Sequence, residues 1–423
     1  MTTIHVNLHI RRIILALSII GAAGLSLPAS AIDLSVTELF DPAIAVIPDI
    51  DGSGIMYQDF REGKYKFISR DLTATEEVIR DNGPAYMHPF DFGGNLLAWI
   101  EYKTTYGGMS KRGIDTPVPA DGDYYVKVLE VSGGSETHAT SDVGYKECIA
   151  ADGIDVVWTD YRHYSASDTT IELYYYDGGS ESRLTNQQGY KAAPMVRDNA
   201  MVWQDYRNAT SNQSNADIFY ATLPGVQEEE ICTEGSYQAQ PCLYGDIIVW
   251  QDYRNADGGD NADIYMYDRS SNDVTEVCTD ASYQAHPKVY GDYIVWHDYR
   301  NVSGSDPENA DIYLYEISTQ DEQEVTTKAG YQAPPYLYGN NIVWYDYEDG
   351  KVYRAEIGGT SARQASWPSV GARRNAPQPD AIYDFRGRKL KRMRAKGLVL
   401  MKNPAGTVKR RLIREAQNLW NLE

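Results

Sequence analysis

The chain has 423 residues, with 39 Lys and Arg set against 60 Asp and Glu, a formal net charge of −21. Residues 1–31 carry +2 and residues 360–423 carry +11, so residues 32–359 stand at −34. So acidic a body argues against nucleic acid and anionic membrane as partners, and four cysteines are too few for the disulfide framework of a small secreted domain.

The first element is not part of a fold. Arg11-Arg12 precede an apolar run from Ile13 to Leu27, and Ala29-Ser-Ala31 is a small-residue cleavage site. That is the pattern of a secretory signal peptide over residues 1–31, too short for a membrane span. No later stretch approaches a span's length. The expectation is an exported chain (periplasmic, cell-surface or extracellular) with no transmembrane segment once the signal is removed.

From residue 32 onward the sequence repeats. Trp158-Thr-Asp-Tyr-Arg162, Trp203-Gln-Asp-Tyr-Arg207, Trp250-Gln-Asp-Tyr-Arg254 and Trp296-His-Asp-Tyr-Arg300 are four copies of one motif. Trp344-Tyr-Asp-Tyr347 is a fifth, with Glu348 in the arginine position, and Tyr57–Arg61 and Trp99–Lys103 are weaker copies. The aromatic anchors fall at 57, 99, 158, 203, 250, 296 and 344. A period in the forties marks a repeat architecture. Around Trp250 the unit reads as four strands, Pro241–Gly245, Ile247–Tyr253, Ala262–Asp268 and Val274–Cys278, broken by Gly, Asp and Asn turns. Four short strands per unit, rich in Val, Ile, Tyr and Trp and with no helical period between them, is the grammar of a propeller blade.

Seven anchors predict an all-β, seven-bladed propeller over residues 32–359. The seventh unit has a third strand near Lys351–Ile357 and no fourth, whereas Val36-Thr-Glu-Leu-Phe40 resembles Val274-Thr-Glu-Val-Cys278. The N-terminal strand is therefore expected to complete blade seven and close the ring, removing an open edge.

The motif Trp-x-Asp-Tyr-Arg-Asn…Asn-x-Asp-Ile-Tyr-x-Tyr, with Gly/Ser-Tyr-Gln-Ala-x-Pro before each first strand, resembles the TolB-like β-propeller superfamily, and most closely the repeats of exported surface proteins of methanogenic archaea. The resemblance covers residues 36–357 and implies an extracytoplasmic scaffold that binds partners through one face. It implies no enzyme.

Past Gly358-Gly359 the composition changes. Residues 360–380 read as a Ser-, Arg- and Pro-containing linker, and residues 381–423 as a short basic tail with strand-like pieces. Ala381-Ile-Tyr-Asp-Phe-Arg-Gly-Arg388, Lys396-Gly-Leu-Val-Leu400 and Thr407–Ile413 resemble the end of a type IX secretion sorting domain, which implies a sorting or anchoring segment. A basic tail docked on the acidic ring, or one without order, stays open beside it.

Residues that repeat in every blade are read first as architecture. Trp158, Trp203, Trp250, Trp296 and Trp344, with Asp160, Asp205, Asp252, Asp298 and Asp346 two positions on, alternate onto one strand face. An acid–arginine link made once per blade explains them better than seven active sites. No Gly-x-Ser-x-Gly, His-Glu-x-x-His, paired Cys-x-x-Cys or phosphate loop occurs. No catalytic residue, metal ligand or cofactor is assigned, and all four cysteines are read as thiols. Function is sought where blades differ, on the face carrying the fourth-to-first and second-to-third strand loops. Ten residues before the anchors stand Ile47, Pro89, Cys148, Ala193, Gln240, His286 and Pro334; two earlier stand Ala45, Met87, Lys146, Lys191, Gln238, Gln284 and Gln332. Lys146, Lys191, Gln238, Gln240, Gln284, His286 and Gln332 are the candidate binding set, bordered by long loops such as Thr104–Asp121, for a protein or glycan ligand. The rival reading is a polysaccharide-active lyase or hydrolase at the channel mouth, which a close carboxylate pair or three clustered histidines would favour. A structural cell-surface component is the third.

Overall fold

In the computed structural model the described residues are 32–358, apart from 43–47, 53, 63, 73–75, 84–88, 105–121, 166–167, 210–214, 226, 257–260, 304–308 and 333, together with the backbone of short strands between 382 and 412. The described ring lies within one compact unit, Asp33–Glu423. The signal-peptide expectation for residues 1–31 and the linker at 360–380 fall outside the described residues.

Seven four-stranded antiparallel sheets make a seven-bladed ring. Blade five runs Gln238–Tyr244, Ile247–Asp252, Asp263–Asp268 and Asp273–Cys278 from the innermost strand outward. Blade seven is built from Tyr336–Tyr338, Asn341–Asp346 and Lys351–Ile357, and its outermost strand is Leu34–Phe40. Leu34 pairs with Ile357 and Val36 with Ala355, so the two ends of the ring share one sheet. Among the described residues there is no helix. Beyond the ring, Arg392–Ala395, Leu398–Lys402 and Val408–Leu412 form a three-stranded sheet, and Ile382–Tyr383 pairs with Lys389–Leu390.

The innermost strand differs from its sequence expectation. It begins at Gln238 rather than Pro241, because a β-bulge carries the strand through the proline. A proline cannot donate to the ladder, and here it occupies the bulge. The residue before it takes a left-handed conformation at Ala193, Gln240 and His286 (φ 45°, 53° and 53°), and Cys148 does so in blade three (φ 47°). These are non-glycine residues in a region L side chains seldom adopt. The bulge recurs in four successive blades and turns these side chains toward the propeller axis.

The core lies between blades. Trp99, Trp158, Trp203, Trp250 and Trp296 are wholly buried, each contributing on the order of 150–250 Å² of apolar surface. The acid two residues on holds the indole. Trp158, Trp203, Trp250 and Trp296 donate Nε1–H to Oδ2 of Asp160, Asp205, Asp252 and Asp298 at 2.8–2.9 Å. The same carboxylates accept the arginine guanidinium at 2.6–2.8 Å and the arginine backbone N–H at 2.8–2.9 Å. In blade seven, where Glu348 replaces arginine, Lys328 pairs with Asp346 at 3.0 Å. Cys148, Cys232, Cys242 and Cys278 are buried free thiols.

Candidate functional site

Two tyrosines of each of blades three to seven meet where the innermost and second strands leave the ring, on the face of the fourth-to-first strand loops. They are Tyr145 with Tyr161, Tyr190 with Tyr206, Tyr237 with Tyr253, Tyr283 with Tyr299, and Tyr331 with Tyr347. Ring centroids within these pairs lie 4.8–5.4 Å apart. The pairs join across blades, with Tyr161–Tyr190, Tyr206–Tyr237 and Tyr253–Tyr283 at 6.2–6.3 Å and Tyr299 hydrogen-bonded to Tyr331. The result is one belt of half-buried tyrosines around most of the mouth.

In blades four and five the residue after the anchor bridges the belt's hydroxyls. Gln204 Nε2 donates to Tyr206 and Tyr237 (2.6 and 2.8 Å), and Gln251 Nε2 to Tyr253 and Tyr283 (2.7 and 2.8 Å). Blade three has the short Thr159 there, and Glu147 on the innermost strand takes over, accepting from Tyr145, Tyr161 and Tyr190. Burial pushes the Glu147 carboxyl up, opposed by those three hydroxyls. Blade six has His297, wedged between Tyr299 and Tyr331 at 5.1 and 5.0 Å. Its nitrogens make no well-aligned hydrogen bond, and the Gln332 backbone partly opposes the effect of burial. Burial drives its pKa down to about 3, so the imidazole is neutral.

The seven candidate binding residues separate into two groups. Lys146, Lys191, Gln238, Gln284 and Gln332 are buried, 0–2% exposed, and spend their donors on the turn before their own strand. Lys146 Nζ donates to the Gly144 carbonyl (2.9 Å) and Asp142 (3.0 Å), and Lys191 Nζ to the Gly189 carbonyl (3.0 Å). Gln238 donates to Ser236 Oγ (2.8 Å), Gln284 to the Ser282 carbonyl (2.6 Å) and Gln332 to the Lys328 carbonyl (3.1 Å). These five lie at the first residue or edge of the innermost strand, enclosed by the turn that precedes it. Gln240 and His286 do line the axial channel, on the bulge. Burial, with Lys288 nearby, lowers the His286 pKa to about 4. Ala45, Ile47, Met87 and the loop 105–121 lie outside the described residues.

Below the belt is a channel cavity of about 200 Å³, lined by residues of the innermost strands. Sequence reasoning passed over the two inward positions that follow the bulge. Eight residues before the anchors stand Asp49, Asp91, Met195, Lys288 and Tyr336, and six before stand Asp51, Asp152, Arg197, Tyr244, Tyr290 and Tyr338. Continuing the same register arithmetic by two and four residues would have found them. Asp49 is hydrogen-bonded to Asp91, and burial together with that neighbouring carboxylate holds the Asp49 carboxyl well above its ordinary range. Each also accepts a backbone N–H of the next blade, Phe92 for Asp49 (3.0 Å) and Ala151 for Asp91 (2.7 Å). Asp152 accepts the Asp198 N–H at 2.7 Å, and Asp51 accepts that of Gly94. A larger open groove of about 500 Å³ runs past Tyr125, His138 and Glu181 on the outside of the ring, away from these groups. Among the described residues, no three His, Cys, Asp or Glu side chains are placed to hold a metal ion.

No family model and no curated protein matches the chain. Solved structures do. An oligogalacturonate lyase in complex with manganese is similar at TM-score 0.53 and 14% identity, over 78% of this chain and 94% of that one. The β-propeller domain of the Trilobed protease from Pyrococcus furiosus is similar at TM-score 0.53 and 9% identity, over 76% and 95%. The likeness is one of fold. TolB from Acinetobacter baumannii aligns at TM-score 0.43 and 13% identity, over 71% of this chain and 66% of that chain. The chain spans about half of the Pyrococcus horikoshii acylaminoacyl peptidase, covering 49% of it.

Proposed function

We propose that this is an exported, non-enzymatic propeller of the TolB-like kind that binds a protein or glycan partner through its tyrosine-belted face. The observation that carries the reading is the belt itself. Ten aromatic rings follow one another around the mouth, and their hydroxyls are ordered by Gln204, Gln251 and Glu147. Rigid rings with ordered hydroxyls offer stacking area at low entropic cost, and tyrosine is enriched at interfaces for that reason. Of the residues singled out in the sequence, Gln240 and His286 remain in the binding set. The reading needs no cofactor. Glycan and peptide arrays probed with the purified protein test it: a selected ligand class is the expected result, and binding lost on replacing Tyr237 and Tyr283 by Ala would place it on this face.

The enzymatic rival has one observation in its favour, the Asp49–Asp91 carboxyl pair in the channel. Both carboxyls are already engaged by amides of the next blade, which makes the pair an inter-blade clip in the first instance. Assay of acidic and neutral polysaccharides with Asp49→Asn separates the two readings, since turnover abolished by that change would establish the rival.

A further inference from the structure

One cavity gathers residues from all seven blades. It lies on the axis, measures about 200 Å³, and is lined by residues in or just before the innermost strands. That is less than the roughly 300–1,000 Å³ of sites for drug-sized ligands, and equals roughly seven waters at about 30 Å³ each. It has room for one small ring.

The lining falls into two layers. At the level of the bulges stand Pro89, Pro194, Pro241, Pro287 and Pro334, each from a different blade. Proline loses no side-chain entropy when a ligand settles against it, so this layer is a preformed apolar collar. His286 interrupts the collar. Its imidazole is neutral and makes no hydrogen bond among the described residues. One or two residues further along the strands the lining turns polar, with Asp49, Asp91 and Lys288 beside Tyr336. The charges there balance. Asp49 and Asp91 share a hydrogen bond, so one proton serves two carboxyls, and Lys288 stands electrostatically against Asp49. Each carboxyl accepts an amide of the next blade, yet a carboxylate offers about four acceptor positions, so both keep capacity to spare. The Lys288 ammonium lies 5.0 Å over the Tyr336 ring and makes no hydrogen bond among the described residues, which leaves its donors unspent.

We propose that the axial cavity binds one neutral monosaccharide ring. The balance of charge sets the class. A ligand that brings a net charge into a small site already neutral loses its hydration with nothing to compensate the loss. A sugar hydroxyl, in contrast, is both donor and acceptor. It donates to Asp49 or Asp91 and accepts from Lys288, and a further hydroxyl pairs with the His286 imidazole. The C–H faces of the ring rest on the proline collar and on Tyr336, which supplies apolar area beside its polar tip. The volume admits one ring and excludes a second. The inference is independent of what the tyrosine belt binds.

Titration calorimetry of the purified protein with glucose, galactose and mannose tests it, with glucuronate and glucosamine as charged counterparts. At least one neutral sugar should bind, and the two charged sugars should bind at least about tenfold more weakly. His286→Ala and Lys288→Met should each weaken the neutral sugar by about tenfold, the loss of one hydrogen bond. Arg269→Gln, on the outer surface, should change nothing. If a channel variant fails to fold, amide exchange in the unaltered protein replaces it. The Phe92 and Ala151 N–H groups, held by Asp49 and Asp91, should then exchange more slowly with the sugar bound. Absence of binding by all three neutral sugars, binding unchanged in both variants, or exchange unchanged at both amides overturns the site. Glucuronate or glucosamine binding as tightly as the neutral sugar overturns the assignment of a neutral ligand.

Discussion

Blades three to six and blades one and two solve the same packing problem with different residues. In blades three to six an aspartate takes the tryptophan N–H, the arginine backbone and its guanidinium together. In blade two the acid is Glu101, which pairs with Lys127 at 3.1 Å, and Trp99 Nε1 is left buried with no partner. In blade one Tyr57 replaces tryptophan and donates to Glu76 instead. The weaker blades compensate between sheets, where Asp49, Asp51 and Asp91 accept amides of the next blade. In blade two the change is one extra methylene, Glu101 for aspartate, whereas blade one keeps Asp59, paired with Arg61 at 2.8 Å, and changes the aromatic anchor. Asp152 of blade three makes the same clip to blade four, so what the lapsed blades lack is the shared clamp inside the blade.

The largest effect should come from the seam itself. Deleting Leu34–Phe40 removes the outermost strand of blade seven and should abolish the cooperative melting transition or cause aggregation; a deletion that melts like the parent would show the ring closes otherwise. Next comes the clamp. Asp252→Ala orphans an indole N–H, a backbone N–H and a guanidinium, and should cost about 3–5 kcal/mol by denaturant titration. Glu101→Ala should cost distinctly less, because its indole is already unpartnered; equal costs would erase the distinction between the blades.

Two neighbouring residues sharpen the contrast further. Gln284→Ala removes a buried turn clasp and should lower stability by about 1–3 kcal/mol. His286→Ala, two residues on and facing the channel, should leave the melting temperature nearly unchanged. The smallest effect is a gain. His297→Gln places in blade six the bridge that blades four and five already have, and should stabilise by roughly 1 kcal/mol at neutral pH. It should also flatten the acid limb. With folded pKa values near 3 and 4, His297 and His286 stay neutral while the unfolded chain takes up protons below about 6.5, so stability falls as pH drops through that window. Asp311 works oppositely: burial raises it to about 6, so the stability it costs appears as pH rises from about 4 toward 6. An acid limb unchanged in His297→Gln would remove the imidazole from the explanation.

Much of the fold was legible because the repeat announces itself. Trp250-Gln-Asp-Tyr-Arg254 recurs with a fixed period, and the match of Val36–Phe40 to Val274–Cys278 located the seam. The strand start at Gln238 was not legible, because Pro241 reads as a boundary unless the bulge is known. The burial of Lys146, Lys191, Gln238, Gln284 and Gln332 was not legible either, because it depends on the preceding turn folding back over each side chain. The belt's tyrosines were visible as repeats, which read first as architecture; only the fold brings the rings together across blades. Asp49 and Asp91 belong to weak repeats 42 residues apart, and nothing local signals that they meet.

Hydrogen exchange on the complex with an array-selected ligand tests most directly whether binding belongs to the belted face. Protection should appear in the turns and strand starts at Ser236–Gln238, Ser282–Gln284 and Gly330–Gln332, while the opposite hairpins at Gly245-Asp246 and Gly291-Asp292 stay as in the free protein. Protection confined to those hairpins or to the outermost strands would contradict it.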